Sequence, residues 1–225
     1  MASDLAPLID HTLLKPEATA ADVERVCAEA VRYGFKAVCL NPYWVSRAAG
    51  LLAETGVTLC AVAGFPFGAS RVDVKAGEAA HAVADGAGEI DMVVNLGALR
   101  SGDLAAVDAD IRAVRAATQG VLKVIVEASA LTEDELVTAT EIAAGAGADF
   151  VKTSTGYHPS GGARLADLRL IKETIEKTGR AETVSIKASG GIRDLAFARE
   201  LLDAGATRLG LSSGVALVEQ ERQHA

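Results

Sequence analysis

Leu122-Lys123-Val124-Ile125-Val126-Glu127 sets two charges into an otherwise apolar, largely β-branched run. Side chains alternate sides along a strand, so Lys123, Ile125 and Glu127 share one face while Leu122, Val124 and Val126 share the other. The wholly apolar face must meet helices, which turns Lys123 and Glu127 toward the inside of the sheet. The same parity sets Asp91 opposite Met92 and Val94, Lys152 opposite Val151, Lys187 opposite Ile186 and Ala188, and Asp10 opposite Ile9. Short apolar runs at Leu8 to Leu13, Ala37 to Leu40, Val57 to Val62, Ile90 to Val94, Leu122 to Val126, Phe150 to Lys152, Val184 to Ala188 and Arg208 to Leu211 predict eight strands. Helical patterns fill nearly every gap. Thr19 to Tyr33 is the clearest, with Thr19 as cap and Gly34 as stop; Thr132-Glu133-Asp134-Glu135 reads as a capping box before a helix reaching about Ala144. Leu165, Leu168, Ile171 and Ile175 stripe another, closed by Gly179, and Asp194 to Asp203 gives a further one ending at Gly205. Eight βα units joined by right-handed crossovers predict an α/β chain folded as a single (β/α)8 TIM barrel, with the charges in its lumen.

Composition agrees with this and narrows the function. The 225 residues are half apolar, enough for one barrel domain over 1–225, and no Pro/Gly/Ser-rich linker divides them. A formal net charge of −8 argues against a phosphate-tracking nucleic-acid surface. The segment from Met1 to Pro7 lacks a basic, then apolar, leader, and no later stretch reaches eighteen uninterrupted apolar residues, so a cytoplasmic chain with no membrane partner is expected. Cys27, Cys39 and Cys60 form no C-x-x-C pair and sit in apolar runs, which reads as reduced core packing.

A buried charge without a partner costs several kcal/mol, so three lysines and at least two aspartates converging on the C-terminal end of one barrel need a reason. One reading is structural, each lysine merely pairing with a carboxylate. The other is catalytic. A divalent metal site would want carboxylates and imidazoles in excess, whereas lysines here equal or outnumber acids, and His11, His81, His158 and His224 are scattered without ligand spacing. Paired lysines suit amine catalysis: a free Lys is protonated near pKa ~10.4, and a neighbouring ammonium plus desolvation can bring it to about 7. One lysine would then be the nucleophile, a second its depressor, and a nearby acid would relay protons.

After the seventh strand comes Ser189-Gly190-Gly191-Ile192-Arg193, and after the eighth Gly210-Leu211-Ser212-Ser213-Gly214-Val215. Glycines let backbone N–H groups approach an anion, and a following helix adds its positive end. These are the barrel loops that most often hold phosphate, so a small phosphorylated substrate is expected.

Leu8-Ile9-Asp10-His11-Thr12-Leu13-Leu14-Lys15-Pro16, Gly64-Phe65-Pro66, Glu89 to Asn95, Lys152-Thr153-Ser154-Thr155-Gly156, Lys187 to Arg193 and Ser212 to Ala216 together resemble the deoxyribose-phosphate aldolase family, from about residue 8 to 218. The resemblance implies reversible aldol cleavage of 2-deoxy-D-ribose 5-phosphate to D-glyceraldehyde 3-phosphate and acetaldehyde, with no metal or organic cofactor. It implies Lys152 as the Schiff-base lysine, Lys187 as the second lysine lowering its pKa, Asp91 as proton relay, and Asp10 and Lys123 as supporting polar residues. Phosphate contacts would fall on Gly156, Gly190, Gly191, Gly210, Ser212 and Ser213, and the chain would form a homo-oligomer, dimer or tetramer. Three features depart from the family pattern. No Tyr ends the chain, where some members carry a proton-transferring one; Tyr157-His158-Pro159 follows the Lys152 motif; and Ala128-Ser129 replace the more usual Thr-Cys after Glu127. Two rivals share parts of this logic: a Schiff-base barrel using a ketose donor, and a non-catalytic sugar-phosphate-binding barrel.

Overall fold

The computed structural model describes residues 4–223. The first three residues of the leader reading, and His224 and Ala225 of the C-terminal tail, lie outside them. Among the described residues, β1 (Ile9–Leu13), β2 (Ala37–Leu40), β3 (Thr58–Ala63), β4 (Glu89–Val93), β5 (Val121–Ile125), β6 (Phe150–Lys152), β7 (Ser185–Ser189) and β8 (Arg208–Leu211) pair in parallel in chain order. β8 returns to β1, with Asp10 beside Gly210, and the sheet closes as a (β/α)8 barrel. The expected strand positions hold to within one residue at every end.

Helices cover the outside: α1 (Ala20–Tyr33), α2 (Val45–Leu52), α3 (Val72–Ala84), α4 (Leu96–Arg100), α5 (Leu104–Ala117), α6 (Glu133–Gly145), α7 (Leu165–Lys177), α8 (Leu195–Asp203) and α9 (Gly214–Gln223). Their ends follow local chemistry. Thr19 and Asp22 form a reciprocal capping box on α1, as Thr132 and Glu135 do on α6, and Asp194 caps α8 through the Phe197 amide. Gly34 ends α1 at φ 73°, a left-handed conformation that costs a glycine little. No helix among the described residues is long and apolar enough to cross a membrane.

The apolar mass lies in two places. The larger fills the shell between barrel and helices, from Ile9, Val38, Ile90 and Leu122 out to Val23, Ile111 and Leu168. A smaller cluster of Leu14, Ala37, Cys39, Cys60 and Val62, with Phe65 against it, lines β1 to β3 on the lumen side. One correction concerns Glu127. β5 stops at Ile125, and Glu127 turns left-handed at φ 53°, so alternation no longer governs it. Its carboxylate instead accepts from the Thr155 amide (3.1 Å) and hydroxyl (2.5 Å). It clamps the loop after β6 and makes no contact with the lumen lysines.

A buried ion pair stands in the helical shell, where the sequence reading expected none. Lys75 of α3 donates to Asp110 of α5 (2.6 Å) and to the Val93 carbonyl at the end of β4 (2.8 Å). Lys75 is fully buried, and a Cβ on Gly64 would fall 2.8 Å from its Cε, so the loop after β3 rests on this side chain. Removing one partner strands the other charge, so Asp110→Ala is expected to cost about 3 to 5 kcal/mol in urea denaturation. A Lys75→Met/Asp110→Leu double variant should recover most of that loss.

Candidate active site

Parity delivers the lumen charges to one point. Asp91 of β4 lies beside Lys123 of β5 in strand register, and Lys152 of β6 lies beside Lys187 of β7. Asp91 Oδ1 accepts from Lys123 Nζ at 2.7 Å, while Asp91 Oδ2 accepts from Lys152 at 2.6 Å and from Lys187 at 2.8 Å. Lys187 also donates to Asp10 Oδ2 at 2.5 Å. Lys123 pairs with Glu89 at 2.6 Å, and Arg208 of β8 underlies both acids, 2.6 Å from Asp10 and 3.3 Å from Glu89. Lys152, Lys187, Asp91, Asp10 and Lys123, singled out from sequence, thus form one connected network.

Burial alone would discharge these groups, and their mutual charge reverses that. For Asp91, desolvation favours the neutral acid, but Lys123, Lys152 and Lys187 together hold the carboxyl well below the usual carboxylate range. Asp10 follows the same logic: burial opposes its charge, Lys187, Lys123 and Arg208 favour it, and the net is a value lowered to about 2. Burial likewise works against the ammonium of Lys187, yet Asp10 and Asp91 raise its pKa. Lys123, opposed by burial and favoured by Asp91, Cys60, Asp10 and Glu89, is raised further from the lysine range. Lys123 and Lys187 are fully buried and contact at least two carboxylates each, whereas Lys152 keeps 3% exposure and contacts Asp91 alone.

Above this network opens a cavity of about 600 Å³ at the C-terminal end of the strands. Gly156, Gly190, Gly191, Gly210, Ser212 and Ser213 all line it. Gly156 and Gly190 both sit at φ 83°, and a Cβ on Gly190 would come within 3.2 Å of the Gly156 Cα and 3.0 Å of the Gly162 Cα. Only bare backbone fits there, so the loop after β6 packs directly on the loop after β7. Gly210 serves a second purpose: a Cβ there would lie 2.8 Å from Lys187 Cε, so the missing side chain also makes room for that lysine. Ser213 donates to the Ile192 carbonyl (3.1 Å), tying the two glycine loops together just before α9 begins.

Several residues of the site escaped the sequence reading. Glu89 and Arg208 share lumen parity with Asp91 and Gly210, so the same rule could have found both. Lys15, Tyr157 and Arg193 line the cavity rim, with Tyr157 edge-on to Phe65 at 5.3 Å. Cys60, read as packing, donates to Asp91 (3.1 Å) and accepts from Lys123 (3.3 Å). The parity test had been applied to charges only. His11, buried and paired with Glu29 through Nε2, stays out of the network, and His158 bonds locally to Ser160.

The chain matches the model of the DeoC/LacD family of aldolases over residues 5–219. It is 48% identical over 221 residues to deoxyribose-phosphate aldolase of Geobacillus sp. (strain WCH70), covering 97% of this chain and 96% of that protein. Deoxyribose-phosphate aldolase of Brevibacillus brevis is 50% identical over 211 residues, 93% of each chain. Among solved structures, the tetrameric deoxyribose phosphate aldolase from Aeropyrum pernix superposes with a TM-score of 0.88 at 36% identity, covering 98% of this chain and 92% of that one. With a family match over nearly its whole length and relatives near half identity, the chain belongs to the DeoC/LacD aldolase family.

Proposed function

We propose that this chain is a deoxyribose-phosphate aldolase, reversibly joining acetaldehyde and D-glyceraldehyde 3-phosphate to 2-deoxy-D-ribose 5-phosphate through a Schiff base on Lys152. The observation that carries this is the asymmetry among the lumen lysines. Lys123 and Lys187 are held as ammonium ions by two or more carboxylates, while Lys152 has one acidic neighbour and is the one of the three with any exposure. A nucleophile must lose its proton and reach its substrate, and Lys152 is the one placed for both.

In the cleavage direction, Lys152 Nζ attacks the C1 aldehyde of the open-chain sugar, and the carbinolamine loses water to give an iminium. The C3 hydroxyl then yields its proton as the C2–C3 bond breaks. The bonding pair passes into the iminium, leaving an enamine and releasing glyceraldehyde 3-phosphate. Protonation at C2 and hydrolysis free acetaldehyde and restore the lysine. Asp91 suits the relay because its charge tracks that of its neighbours. When Lys152 gives up its ammonium proton, one cation leaves the carboxylate and its proton affinity rises. Lys187 keeps its positive charge through its contacts with Asp10 and Asp91. Asp10, Glu89 and Arg208 hold Lys187 and Lys123 in place.

The phosphate belongs at the glycine loops, where the backbone amides of Gly156, Gly190, Gly191 and Ser213, the Ser212 hydroxyl and the start of α9 line one cavity, the Ser213 hydroxyl being engaged with the Ile192 carbonyl. Lys15 and Arg193 at the rim add positive charge. A homo-oligomer completes the reading, with Tyr43 at 83% exposure and Phe67 at 79% as side chains a partner copy would cover. Free thiols at Cys27, Cys39 and Cys60 fit a reducing cytoplasm.

Borohydride reduction with acetaldehyde and chelator present is expected to place one ethyl adduct on Lys152, absent in Lys152→Arg; an adduct spread over other lysines would refute the mechanism. Lys152→Ala should lower cleavage on the order of 10⁴-fold. Acetaldehyde turnover without dihydroxyacetone transfer separates this donor from a ketose. The lumen also sets an acid limit. A carboxyl lowered to about 2, as Asp10 is, adds stability that is complete above its ordinary value of 3.8 and lost as pH falls through about 2. Urea midpoints should therefore drop across that window, and Asp10→Asn should lower the midpoint at pH 7 while flattening the drop.

A further inference from the structure

The reaction as drawn uses neither Cys39 nor Cys60, yet both thiols are fully buried at its centre. They are register partners on β2 and β3. Cys60 Sγ also donates to Asp91 Oδ1 at 3.1 Å, the oxygen turned away from Lys152 and Lys187. The two sulfurs and an Asp91 oxygen all lie within 4.8 Å of one another. A tetrahedral zinc ion with Zn–S near 2.3 Å and Zn–O near 2.1 Å spaces its donors by about 3.5 to 3.8 Å. Small side-chain shifts would bring these three groups to three corners of such a tetrahedron. We propose that Cys39, Cys60 and Asp91 form a binding site for a thiophilic divalent cation such as Zn²⁺ or Cd²⁺, and that its occupation inhibits the enzyme.

A dication among Lys123, Lys152, Lys187 and Arg208 looks electrostatically forbidden until protons are counted. Two thiols plus the metal ion give a dithiolate complex and two released protons, so the charge of the lumen does not change. Burial and the Asp91 carboxylate push the Cys60 thiol well above its ordinary value, against which Lys123, donating to the sulfur at 3.3 Å, pulls only weakly, so the arriving ion itself has to displace the proton. Two sulfurs select a soft ion, and Mg²⁺ or Ca²⁺, which want oxygen ligands in number, would find Asp91 alone among the three. Leu14 lines the cavity and packs on the thiol cluster, so a rotation of this one side chain would connect the cavity to the buried site. The inhibitory half rests on the proposed aldolase reaction. A metal ion on Asp91 would withdraw the carboxylate shared by Lys152 and Lys187, removing the proton relay.

Titration of the reduced full-length protein with Cd²⁺, followed by the ultraviolet thiolate-to-cadmium charge-transfer band, is the direct test. One equivalent is expected to bind, to be removed by EDTA, and to bind more tightly as pH rises because protons are released. Cys27→Ala should keep the band; Cys39→Ala and Cys60→Ala should each lose it. Cadmium-113 NMR of the unmutated protein should report two sulfur ligands, which keeps the site testable if a variant fails to fold. No band, a band surviving Cys39→Ala/Cys60→Ala, or a one-sulfur signal would overturn the site. With the band present, deoxyribose 5-phosphate cleavage should fall in step with occupancy, and unaltered cleavage would overturn the inhibition. A wild-type protein with no cleavage at all would instead defeat the aldolase reading, leaving the absorption to decide the metal site alone.

Discussion

The carboxylate of Asp91 receives three ammonium groups from three successive strands, all of them buried. Taken singly, each of those lysines would be intolerable in a barrel lumen, where the desolvation of one charge costs several kcal/mol. Taken together they are admissible only because the sheet closes. β4 to β7 must hold their registers so that Lys123, Lys152 and Lys187 arrive at one acid from adjacent positions. The ion network therefore makes demands on the fold that a hydrophobic lumen would not. A slip of one residue in any of these strands would turn its lysine into the apolar shell.

The lumen is divided. On the β1 to β3 side it presents Leu14, Ala37, Cys39, Cys60 and Val62; on the β4 to β8 side, and at Asp10, it presents charge. Low polarity on one wall strengthens every interaction on the other, since little water is available to screen it. On the proposed reading it also suits a two-carbon donor, which would offer an aldehyde to the charged wall and a methyl group to the apolar one.

How much of this was legible beforehand follows from where backbone geometry is regular. Strand parity placed Asp10, Asp91, Lys123, Lys152 and Lys187 together because all five lie inside extended segments, where a period of two is enforced by the chain. It does not govern Glu127, two residues past the end of β5, where the backbone turns left-handed. It missed Cys39 and Cys60 because thiols in an apolar run look like packing from either face. Lys75 was invisible for a different reason. Its partner Asp110 lies 35 positions away on another helix, and no local period reports a pairing set by helix-to-helix packing.

The glycine loops and the lysine network are joined by backbone rather than by side chains. Lys152 ends β6, and three residues beyond it Thr155 is held by Glu127 through both its amide and its hydroxyl. The next residue, Gly156, lies against Gly190, which follows β7 and so moves with Lys187. An anion gripped at Gly156 and Gly190 is thus fixed with respect to both lysines by a few peptide units that have no side-chain freedom to lose. Binding energy from a phosphate several bonds from the reacting carbon can then act on orientation, which is where remote binding contributes most to rate. Gly190 has no room for a Cβ because the Gly162 and Gly156 Cα atoms would stand 3.0 and 3.2 Å from it; on the proposed reading, a displacement there would also shift an anion relative to Lys152.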